Sequence, residues 1–98
     1  MATTTKILLE EGYDSSDELI RDWMLMVALA KVEQYQAECE FFTGKYKMTL
    51  AAFEKALHQQ RGQENFEQEE DLDDWLFAEN ALKWWQNKVK ELGHAANA

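Results

Sequence analysis

The chain has 98 residues, 46% of them hydrophobic, with no proline and four glycines. A single small domain of this size buries about two-thirds of the surface that its unfolded chain exposes, so its core must be efficient or shared. A formal net charge of −9 opposes direct binding to nucleic acid or to an anionic membrane surface, because such binding rests on neutralising phosphates with Lys and Arg.

Residues 1–14 form a flexible N-terminal arm in this reading, and strand, extended arm and fraying helix all stay open for it. Ile7, Leu8 and Leu9 make too short an apolar run for a signal peptide, and Trp23 to Ala30 is too short to cross a bilayer. A cytoplasmic location is expected. Ser15 or Ser16 can cap a helix whose first acids, Asp17 and Glu18, suit the positive end of its dipole.

A long helix over 17–43 is expected, because Leu25, Ala28, Val32, Tyr35, Cys39, Phe42 and Tyr46 recur at spacings of three and four without an internal breaker. Gly44 reads as its C-cap. Between Trp23 and Ala30 the helix has no polar side, which implies burial on more than one side. Trp23, Met26, Val27 and Ala30 are therefore expected to mediate self-association, and a homodimer is the expected assembly. Thr49 caps a short helix over 49–60 that turns Leu50, Phe53 and Leu57 inward.

An acidic linker over 61–69 leads to a second long helix over 70–92, with Gly93 as its C-cap and 93–98 as a tail. Trp75, Ala78, Leu82, Trp85, Val89 and Leu92 keep the spacing of a packing seam, and Phe77, Ala81 and Trp84 form a second stripe beside it. The fold class is all-α. It is an antiparallel hairpin of two long helices with a short intervening helix, completed by dimerisation into a bundle.

From Glu64 to Asp74, seven of eleven residues are acidic and none is basic. Glu64, Glu67, Glu69, Glu70, Asp71, Asp73 and Asp74 suit a recognition surface for a basic partner, which would steer association electrostatically. A solvated helix start is the plainer account, since acids are favourable there, and both stay open. Trp84 is core on one reading and an exposed partner-binding anchor on the other.

Other chemistry finds little footing. Glu64 with Glu67 and Glu70 with Asp73 give paired acids of the kind that all-α nucleotide pyrophosphatases place around magnesium, but here the pairs abut in sequence. A metal-dependent hydrolase would have to recruit Glu33, Glu38 and Glu40 from the long helix. The glycine and ligand spacing of a calcium loop are missing. His58 and His94 are the only histidines, and Glu54 with His58 gives at most two ligands on one helix face. Cys39 occupies a seam position, where burial raises a thiol pKa and quenches its reactivity. A ribbon-helix-helix reading fails because the N-terminal segment carries Lys6 alone and no breaker divides Gly12 from Gly44. No catalytic residue, metal or cofactor is expected, and the chain is read as a non-enzyme.

The run Asp22-Trp23-Met24-Leu25-Met26-Val27-Ala28-Leu29-Ala30-Lys31-Val32-Glu33, with Glu38-Cys39-Glu40-Phe41-Phe42, Lys45-Tyr46, Phe53-Glu54 and Asp74-Trp75, resembles small uncharacterised helical antitoxin-type proteins. These occur in cyanobacteria and archaea, encoded beside toxin-like genes. The resemblance spans residues 6 to 92 and contains no catalytic motif. It implies neutralisation of a basic toxin encoded nearby, by direct protein contact. Two alternatives are a self-associating scaffold or adaptor and the metal-dependent nucleotide hydrolase.

Overall fold

A computed structural model describes residues 6, 7, 9–13, 15–60 and 65–96. The rest of the expected N-terminal arm (1–5, 8 and 14), part of the acidic linker (61–64) and the end of the tail (97–98) lie outside the described residues. Three helices follow in order: α1 (Ser16–Tyr46), α2 (Leu50–Gln59) and α3 (Phe66–Ala96). The two long helices pack against each other as an antiparallel hairpin with the short α2 between them, as the periodicity predicted. Before α1, Lys6, Ile7, Leu9 and Glu10 are helical, and the turn closes at Gly12 with φ 88°. Among the described residues of this segment, Lys6, Ile7, Leu9 and Glu10 fit the helical reading.

The helix starts follow from local chemistry. The Ser15 side chain accepts from the Glu18 N–H at 3.2 Å and Thr49 accepts from Ala52 at 3.2 Å, each satisfying a donor that the first turn leaves unpaired. The α3 start corrects the expected boundary. The helix begins at Phe66 rather than at residue 70, because Asn65 Oδ1 caps the Gln68 N–H at 3.2 Å. Asn65-x-x-Gln68 has the spacing of a capping box.

The helix ends depart further from expectation. Gly44 lies inside α1, and the C-cap is Lys47, left-handed at φ 55° and ψ 40°, whose N–H reaches the Thr43 carbonyl at 2.8 Å. The last turn persists because Lys45 and Tyr46 are held by tertiary contacts that no local signal encodes. Gly93 likewise does not cap: α3 runs through it to Ala96. Its φ is not positive, and the following alanines favour helix.

Two 31-residue helices are each about 46 Å long. The molecule is correspondingly elongated, 66 × 25 × 18 Å with a radius of gyration of 20.2 Å, against about 13 Å for a compact globule of this length. The core sits at the end of the hairpin where α2 closes over both long helices. There Phe42, Phe53 and Trp75 are buried, with Cys39, Tyr46, Leu50, Leu57 and Leu72 packed around them. Trp75 stacks on Phe42 at 5.7 Å and lies 5.5 Å from Phe53. Away from this cluster the described buried residues are Ala28 and Ala78.

An ionic clasp locks the same end. Lys45 Nζ donates to Asp71 at 2.7 Å and to Glu67 at 3.0 Å, and the Tyr46 hydroxyl donates to Asp71. Burial alone would raise the Asp71 pKa, but hydrogen bonds from Lys45 and Tyr46 outweigh it and hold the carboxyl below its usual range. A depressed folded-state pKa contributes stability above the unfolded carboxylate pKa, which is lost as pH falls through the folded value. Asp71→Asn should therefore destabilise by about 1 kcal/mol at pH 7. In urea melts, the gap from wild type should close below the usual carboxylate range; a gap independent of pH would remove the charge from the clasp.

Candidate protein-binding groove

The sequence places Tyr35, Glu38 and Phe42 along α1 and Asp74 and Phe77 on the antiparallel stretch of α3, so packing the hairpin brings them to one side. There they line an open groove of about 520 Å³ with Ala37 and Phe41. Its surface is aromatic: Tyr35 meets Phe77 edge-on at 5.9 Å, and Phe41 meets Phe42 edge-on at 5.3 Å. Phe42 is anchored in the core, whereas Phe41 and Phe77 are 63% and 65% exposed. Glu38 and Asp74, both exposed, supply carboxylates to the same groove.

Aromatic faces attract a cation through the ring quadrupole, and a carboxylate adds a charge-assisted hydrogen bond. The groove thus has the chemistry to hold an Arg or Lys side chain, its apolar stem on the rings and its head against Glu38 or Asp74. On α3 an outward stripe continues from it. Phe66, Glu70, Asp73, Phe77, Asn80 and Trp84 recur at spacings of four and three, with Phe66 74% exposed and Trp84 52% exposed.

The expected recognition acids divide in three. Glu69, Glu70, Asp73 and Asp74 are exposed on α3, Glu67 and Asp71 are engaged by Lys45, and Glu64 lies outside the described residues. Trp84 is a surface residue, edge-on to Trp85 at 4.7 Å with Lys88 Nζ 4.9 Å above its ring. Of the second stripe of α3, Phe77 and Trp84 remain open within this chain, because they lie on its outward side, off the seam with α1. Phe41, Phe66 and the groove itself were not singled out from sequence. The signal available was the spacing of Phe66, Phe77 and Trp84 around the acids.

Trp23 and Met26 are 61% and 69% exposed, Ala30 is exposed and Val27 half-buried. The belt expected to be buried on several sides is thus open along its outer side.

Burial pushes the Cys39 thiol up to about 11, with the neighbouring Glu79 carboxylate adding to the effect. At pH 8 this cuts the thiolate fraction about a hundredfold relative to an ordinary thiol. Alkylation by iodoacetamide should slow by about that factor, and Glu79→Gln should recover part of it; labelling at the rate of free cysteine would contradict the burial.

Among the described residues no group of three or more His, Cys, Asp and Glu lies close enough to hold a metal ion, and no helix is long and apolar enough to cross a membrane. Compared with known proteins, the chain matches no family model, no curated protein and no solved structure.

Proposed function

We propose that this chain is a non-catalytic protein-binding protein of the antitoxin type, which neutralises a basic partner by direct contact through the aromatic groove and the outward stripe of α3. The observation that carries the reading is the pairing of exposed aromatic rings with unclasped carboxylates in one groove. Exposed aromatics supply the apolar anchors typical of binding hot spots. The carboxylates select cationic partner surfaces and speed encounter.

The surface acids concentrate at the α2 end of the hairpin, where Glu69, Glu70 and Asp73 extend the charge beyond the groove. A basic, nucleic-acid-directed toxin is the partner class that this charge suits, since its own binding surface must be positive to engage phosphates. Covering that surface blocks its activity without any chemistry by the binder.

The test is co-expression with the product of the adjacent reading frame. That product alone should arrest growth. Together, the two should restore growth and co-purify as a complex of defined stoichiometry that dissociates as salt rises. An innocuous neighbour, or a complex indifferent to salt and to reversal of Glu38 and Asp74, would overturn the reading.

A further inference from the structure

The outer face of α1 poses a separate problem. From Trp23 to Ala30 there are eight residues without a charge. Trp23, Met26 and Ala30 line its outer side and are exposed. The chain exposes 7556 Å², whereas a monomeric globule of 11.5 kDa exposes about 5,800 Å². A standard protein interface takes about 800 Å² from each partner. The excess covers one such interface and leaves as much again for the groove.

We infer that a second copy of this chain covers the belt, packed antiparallel along α1 about a two-fold axis between Met26 and Val27. The belt is self-complementary in that register. Trp23 and Ala30 lie seven residues apart and so nearly in line on the helix, and the two-fold sets each Trp23 over the Ala30 of the other copy, a large side chain against a small one. Met26 and Val27 then meet their own counterparts at the axis, as an isologous contact requires.

Electrostatics selects the orientation. Each chain carries −9, so bringing two together is unfavourable unless the charges stay apart. The acidic end, at the level of Tyr46 and Asp71, lies about 29 Å along α1 from the proposed axis. Antiparallel packing places the two acidic ends about 60 Å apart, many times the Debye length of about 8 Å at physiological salt. Parallel packing would set them side by side. The contact is centred on residues outside the groove, whose carboxylate Glu38 lies about 17 Å along α1 from the axis, and stands without the partner reading.

Sedimentation equilibrium of the full chain should give about 23 kDa, twice the 11.5 kDa of the protomer, with a dissociation constant on the order of micromolar. Added salt should tighten the dimer by screening its like charges, the opposite of its effect on a groove-bound basic partner. Ala30→Glu should weaken dimerisation about a hundredfold while the far-ultraviolet circular dichroism is unchanged. In a Cys39→Ser background, Met26→Cys should form an interchain disulfide readily and Ala37→Cys should not. Equal cross-linking at both positions would overturn the antiparallel register. A monomer at 100 µM (about a hundredfold above the expected constant), or a dimer indifferent to Ala30→Glu, would overturn the second copy as occupant. So would a monomer whose Ala30→Glu variant loses the heterologous partner, which would assign the belt to that partner. Loss of groove binding in a chain that still dimerises would sink only the functional reading.

Discussion

Trp75→Ala is expected to destabilise the chain by about 3–5 kcal/mol, a large part of the roughly 5–15 kcal/mol that holds a domain folded. Trp75 is 1% exposed and contacts rings from both other helices: Phe42 of α1 at 5.7 Å and Phe53 of α2 at 5.5 Å, with Tyr46 at 6.3 Å. Removing the indole takes away the surface on which the three rings pack, and the remaining core is too small to collapse around the gap. The comparison variant is Trp85→Ala. Trp85 shares the seam with Trp75 but is half-buried, so its loss should cost about 1–2 kcal/mol. Equal costs in urea unfolding would mean that the core extends evenly along the hairpin and is not concentrated under α2.

The second large effect concerns binding. Reversing both groove carboxylates, Glu38→Lys with Asp74→Lys, should slow association with a basic partner about ten- to hundredfold at low salt. Both side chains are exposed, so the thermal melt should move little. The deficit should shrink by half a molar salt, where the Debye length falls to about 4 Å. Glu69→Lys with Glu70→Lys separates the groove from its surroundings. Those acids lie nearer the start of α3 and should alter the on-rate less and the off-rate hardly at all. If reversal in either pair acts equally on the on-rate, the groove has no special part and the whole acidic end steers as one field. An unchanged on-rate in both would make the acids mere solvation of a helix start.

The clasp explains why the expected acidic surface does not act as a unit. Lys45 takes two of its acids, Glu67 and Asp71, into intramolecular pairing. Nothing in the run from Glu64 to Asp74 distinguishes those two from their neighbours. Their role follows from where α1 ends, and α1 ends at Tyr46 instead of at the glycine before it because the clasp and the Trp75 cluster hold its last turn. Helix length and ionic pairing here determine each other, and sequence reasoning that treats each helix alone finds neither.

What the sequence alone determined is the architecture and its apolar seams. Periodicity fixes which residues share a helix face, and the caps at Ser15 and Thr49 act through hydrogen bonds only three residues long, so all-α class, hairpin topology and the seams through Phe42, Phe53 and Trp75 could be read before any packing was known. Tertiary structure decided which of those faces meets a neighbour. Trp75 and Trp84 are both apolar residues at helical spacing, yet one is 1% exposed and the other 52%, because Trp75 lies on the seam beneath α2 whereas Trp84 lies on the outward side of α3, which no other described helix of this chain covers. The groove is of the same kind: Glu38 and Asp74 are far apart in sequence, and only the antiparallel register of two long helices brings them to the same aromatic rings.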